Sequence, residues 1–149
     1  MAVGQLSWAL SPLRRWVGGA EGGCLWGHLS CRTLRACCHV CGLEADAGGF
    51  TPVGFNIDAT DTIVDVITAY QPLLEPYGIY YIRKGGSGVD INPLKEFGVP
   101  LSGFRTDSQR YMDLHHSAYD TFDKVHIREL QLGSGCMAAL IYLVDAYGF

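Results

Sequence analysis

The chain has 149 residues, 48% hydrophobic and 17% charged, which suits about one domain with its own core. Its formal net charge of -4 offers no electrostatic footprint for nucleic acid. No uninterrupted apolar run approaches the roughly 20 residues of a membrane span, so no membrane partner is expected.

These totals conceal a break near residue 42. Residues 1–42 carry four arginines and one glutamate, all three tryptophans and five of the six cysteines. They contain no Asp, Asn, Lys, Ile, Phe or Tyr, whereas residues 43–149 hold every Tyr and Phe. The residues absent lean to A/T-rich codons and the abundant ones to G/C-rich codons, a composition expected of translated sequence that selection did not shape. Residues 1–42 are therefore read as an atypical leader with little fixed structure. Arg14 and Arg15 are followed by Gly18-Gly19-Ala20-Glu21-Gly22-Gly23, where an export signal needs an apolar segment, so no export signal is recognisable and the compartment stays open. Cys38-x-x-Cys41 is the one cysteine pair at zinc-site spacing, and Cys24 and Cys31 do not supply the matching second pair. Incidental thiols are the simpler reading, with a small zinc module as the competing one.

From residue 43 onward the pattern alternates. Gly49–Ile57 reads as a strand or an extended entry. Ile63, Ile67, Tyr70 and Leu74 follow at the spacing of one helical face, with Asp58 or Thr60 as candidate caps and Pro72 and Pro76 as stops. Ile79–Ile82 is short, β-branched and aromatic, hence a strand. Gly85-Gly86-Ser87-Gly88 lacks the following Lys and Ser/Thr of a phosphate-cradling loop and is read as a tight turn. A short helix through Pro93–Phe97, a strand at Val99–Phe104 and a long helix at His126–Tyr147 complete the series. Gly133 and Gly135 should weaken that helix by about 1 kcal/mol each, and Cys136 is expected in the core. Alternating elements of this kind predict an α/β fold with a mixed, mainly parallel sheet flanked by helices.

Tyr111-Met-Asp-Leu-His-His-Ser-Ala-Tyr-Asp-Thr121 sets two histidines between aspartates. Imidazole and carboxylate are the ligands of catalytic zinc. In an extended segment His115 and His116 would point to opposite sides, so only one would serve.

Four stretches in this order carry a family likeness: Leu43–Phe55 (LEADAGGFTPVGF), Gly85–Leu94 (GGSGVDINPL), Phe97–Pro100 (FGVP) and Tyr111–Val125. Residues 43–149 resemble the C-terminal part of the co-catalytic zinc aminopeptidases, closest to the carboxypeptidase Q-like branch. The resemblance implies part of a three-layer zinc-peptidase domain that hydrolyses dipeptides or N-terminal residues with a metal-activated water. It implies two zinc ions, a peptide or dipeptide substrate, an exported compartment and a possible homodimer. Its Glu-x-Asp motif falls on Glu44-Ala45-Asp46 and makes Asp46 a metal ligand. Its His-Ser-x-x-Asp-Thr motif makes His116 the second. Asp90 takes a site-shaping position, and Asp120 and Thr121 would hold the ligand loop.

The resemblance also implies three further ligands and a general-base glutamate upstream of Leu43. Residues 1–42 hold no aspartate and only Glu21, so no catalytic residue is assigned. The expectation is a truncated peptidase domain, inactive alone, with a sheet edge and an apolar helix face left to be covered. A non-catalytic scaffold or dimerisation fragment is the alternative.

Overall fold

The computed structural model describes residues 6–10, 39–47 and 49–149. Five strands form: β1 (Leu6–Leu10), β2 (Cys41–Ala45), β3 (Pro52–Asp58), β4 (Tyr81–Lys84) and β5 (Leu101–Thr106). They hydrogen-bond in the order β1-β2-β5-β3-β4. The pairs β2–β5 and β3–β4 are parallel, and β1–β2 and β3–β5 are antiparallel. The result is an open mixed sheet of the expected α/β class. β1 lies within the leader and covers the outer edge of β2, so that edge is not left bare. Cys24, Cys31, Cys37 and Cys38, with the zinc-module reading that rests on them, lie outside the described residues.

Among the described residues, four α-helices accompany the sheet: α1 (Asp61–Thr68), α2 (Gln71–Leu74), α3 (Tyr111–Leu114) and α4 (Ile127–Tyr147). The anticipated face is present, with Ile67 and Leu74 buried and Ile63 and Tyr70 half-buried against them. Thr60 occupies the N-cap position of α1, but its side chain makes no capping bond. Pro72 does not stop a helix; it sits in the first turn of α2, where a missing N–H is harmless.

One face of the sheet holds the main core. Leu43, Phe55, Ile57, Ile82 and Phe104 meet Val64, Ile67 and Leu74 and the inner stripe of α4, including Cys136, Leu140 and Val144. Each such side chain contributes about 1.5–3 kcal/mol by leaving water. Gly133 has a packing role that outweighs its poor helix propensity. A Cβ there would stand 3.3 Å from the Phe104 ring, so glycine lets α4 approach β5. Gly135 faces open space and keeps only the propensity cost. At 21 residues α4 has the length and apolarity to cross a membrane, although no uninterrupted apolar run marks it. Seven of its residues are buried in this structure, most of them in the core cluster.

The opposite face is crossed by the segment after β4. Ile91, Leu94 and Val99 pack with Leu101 there in a second, smaller cluster. Gly85–Gly88 is not the tight turn the sequence suggested. It has no turn geometry and runs across the sheet. The crossing depends on two missing side chains: a Cβ on Gly88 would overlap the Glu44 carboxyl group, and one on Gly103 of β5 would overlap the Ser87 carbonyl oxygen.

Candidate functional site

Because β2 and β5 are parallel neighbours, the residues that follow them leave the same edge of the sheet. Asp46 follows β2 directly, and the 107–126 loop with its histidines follows β5. In open α/β sheets, the crevice outside the carboxyl ends of the strands is where ligands bind.

The two loops are fastened together. The Asp107 N–H donates to the Thr51 carbonyl at 2.8 Å, and the Arg110 guanidinium lies 5.1 Å from the Phe50 ring centroid. Arg110 Nη2 donates to both Glu129 oxygens at 2.7 and 2.9 Å, and the Thr51 hydroxyl donates to Glu129 Oε1 at 2.6 Å. Burial pushes the Glu129 carboxyl up, but the bonds from Thr51 and Arg110, with the charges of Arg110 and His126, hold it below its ordinary range. This carboxylate therefore clamps both loops to the start of α4.

The histidine segment is not extended. Tyr111–Leu114 makes one helical turn, and His116 then takes a φ of 54°, the one positive φ outside glycine among the described residues. That reversal brings the His115 and His116 rings to 3.9 Å between centroids, so they touch rather than point apart. His115 also stacks on Tyr111 at 4.5 Å. Burial raises the Tyr111 phenol, and the charge of Asp46 raises it further. Tyr111, His115 and His116 thus form a run of touching rings. Both imidazoles are exposed. A left-handed backbone at a β-carbon-bearing residue costs about 1–3 kcal/mol and marks a functional candidate.

The loop closes on itself through Ser117, whose hydroxyl donates to the Leu114 carbonyl at 2.8 Å and accepts from the Tyr119 N–H at 3.1 Å. The Thr121 hydroxyl donates to Asp123 Oδ1 at 2.6 Å. Asp120 contributes its backbone N–H, bonded to the Ser117 carbonyl at 3.2 Å.

Glu44 is the residue that sequence reasoning passed over. Its side chain is 1% exposed. Oε2 accepts from the Asp90 and Ile91 N–H groups at 3.0 and 3.1 Å, and Oε1 is buried with no partner. Burial raises its pKa most; the Ile91 and Asp90 N–H groups oppose this, and the charges of Asp90 and Asp46 add to it. Asp90 is thus a partner of Glu44 through its backbone N–H. The signal was available: Cys41, Leu43 and Ala45 share the core face of β2, which puts Glu44 beside Gly42 on the other.

Zinc of the kind the resemblance implies takes three or four protein ligands. Among the described residues no group of three or more His, Cys, Asp and Glu side chains is placed to hold a metal ion. Asp46 and His116 alone do not fit that requirement.

No family model matches the chain. Carboxypeptidase Q of Mus musculus is 29% identical over 102 residues, covering 68% of this chain and 22% of the mouse protein. Carboxypeptidase Q of Homo sapiens is 28% identical over the same shares. Among solved structures, a peptidase M28 precursor from Shewanella amazonensis SB2B superposes with a TM-score of 0.62 at 26% identity, over 68% of this chain and 23% of that one. The chain thus spans about a fifth of the length of the curated relatives it matches.

Proposed function

We infer that this chain, a partial segment of the carboxypeptidase Q-like zinc peptidases, contributes one side of a metal-dependent exopeptidase site acting on dipeptides or peptide N-termini. Asp46 and His116 are its two metal ligands, Asp90 shapes the site, and Asp120 and Thr121 belong to the ligand loop. The observation that carries this reading is the placement of Asp46 and His116 beyond the carboxyl ends of adjacent parallel strands. The left-handed backbone of His116 favours it over His115 as the functional histidine.

With two ligands the chain alone should hold zinc weakly and turn over no peptide. Calorimetric titration with zinc should give a weak isotherm that Asp46→Ala and His116→Ala each weaken further. Dipeptide hydrolysis by the purified chain should be absent in all three proteins. Tight zinc binding that survives both substitutions would sink the ligand assignment, and measured turnover by the 149-residue chain would sink the inactivity.

A scaffold or homodimerisation role is the second reading. Met112, Tyr119 and Phe122, 77, 72 and 86% exposed on the histidine loop, favour it. A concentration-dependent dimer in analytical ultracentrifugation that Phe122→Ser dissolves, together with zinc binding indifferent to His116, would support it over the first.

A further inference from the structure

The sheet face crossed by Gly85–Gly88 carries a group of donors with too few acceptors. Asn56 stands opposite Arg83 in the β3–β4 ladder, and Arg105 faces the same side from β5. Arg83 is held by stacking, its guanidinium carbon 4.4 Å from the Tyr81 ring centroid. Arg105 is held by donating from Nη2 to the Gly86 carbonyl at 2.9 Å. A Cβ on Gly85 would stand 2.9 Å from the Asn56 amide carbon, so glycine there leaves room for that side chain.

Asn56 can serve only one of the two guanidinium groups. With its oxygen toward Arg83 Nε, at 3.4 Å, its amide nitrogen faces Arg105. Turned over, the orientation that satisfies both ends of the amide, the oxygen accepts from Arg105 Nε and Nη2 at 3.0 and 3.2 Å. In that orientation Asn56 serves Arg105, and Arg83 keeps only its stacking on Tyr81. Nearby Lys84 and Lys95 are paired with Asp61 and Asp58, but neither Arg83 nor Arg105 forms an ion pair among the described residues. A Cβ on Gly86 would meet nothing within 4 Å, so the space beside the pair is open.

We propose that Arg83, Arg105 and Asn56 form a binding site for a small oxyanion, a carboxylate or a phosphate. Two guanidinium forks supply the parallel N–H donors such groups accept, and the anion provides the acceptor that Arg83 lacks. The site is independent of the peptidase reading, since it uses neither Asp46 nor His116.

The test follows the Arg83 and Arg105 Nε–Hε NMR signals of the full chain at low ionic strength, where surface charges are least screened. Inorganic phosphate, N-acetyl-dialanine and its C-terminal amide are titrated separately. Both signals should move saturably with phosphate, with the free-carboxylate peptide or with both, which also tells the source of the anion. The amide should leave them still. Arg83→Gln should weaken binding about tenfold or more, and Lys95→Gln should not. Arg83→Gln is the decisive variant, because Arg83 is exposed; Arg105→Gln adds to it where the amide spectrum stays dispersed. No shift with either anion, equal shifts with the amide, or undiminished binding by Arg83→Gln would overturn the proposal.

Discussion

Replacing Glu44 by Gln should make the protein more stable at neutral pH and leave it nearly unchanged near pH 4. The carboxyl group is 1% exposed, and its Oε1 has no partner. Burial and the charges of Asp90 and Asp46 raise its pKa above the ordinary value of 4.5, against the two N–H bonds. Between the ordinary and the raised value the folded state binds more protons than the unfolded one, so stability falls as pH rises, by at most about 1.4 kcal/mol per pH unit. Below both values the protonated acid and the amide are near-isosteres, and each offers one oxygen to the Asp90 and Ile91 N–H groups. The two proteins should then agree within about 0.5 kcal/mol. Glu44→Ala is the contrast: it strands two N–H groups, one of them buried, at about 1–3 kcal/mol each. Urea unfolding of the three proteins from pH 4 to pH 8, followed by tyrosine fluorescence, measures all of this. Parallel curves for wild type and Glu44→Gln, or a wild type that gains on the variant as pH rises, would refute the reasoning.

Gly103→Ala should cost about 1–3 kcal/mol or more, because its methyl group would overlap backbone at Ser87 rather than a movable side chain; thermal unfolding reads the loss. His116→Gly should raise stability by about 1 kcal/mol by relieving the φ of 54°, which chemical denaturation can check. The Glu129 clamp should fail in acid. Its carboxyl is held below the ordinary 4.5, so its stabilisation is present above that value and disappears as pH falls through the lowered one. Amide exchange in residues 111–125 should then quicken in wild type and be fast at every pH in Glu129→Gln. The Cys41 thiol, pushed by burial up to about 12, should resist iodoacetamide at pH 8 until urea unfolds the chain, as peptide mass mapping would report.

What the sequence disclosed and what it withheld divide along the range of the interactions involved. The helical face at Ile63, Ile67, Tyr70 and Leu74 is a local period, and burial follows it. β1 has no such signal. Leu6–Leu10 is a strand because its backbone pairs with Cys41–Ala45 across a long separation. The histidine segment misled because alternation presumes extended backbone, and one helical turn with a positive φ at His116 cancels that presumption. Glu44 and the Gly85–Gly88 crossing explain one another only in three dimensions, where Gly88 lies on the carboxyl group and Gly103 makes room for Ser87.

The candidate centre depends on the same long-range pairing. Asp46 and His116 come from distant parts of the chain, and the loops that carry them leave one edge only because β2 and β5 run parallel, so a motif supplies the residue types and the ladder brings their loops to the same end of the sheet. The oxyanion site has no motif behind it. Arg83 and Arg105 are ordinary surface residues in sequence, and only the shared neighbour Asn56, set between them by two ladders of opposite sense, turns them into a pair short of an acceptor.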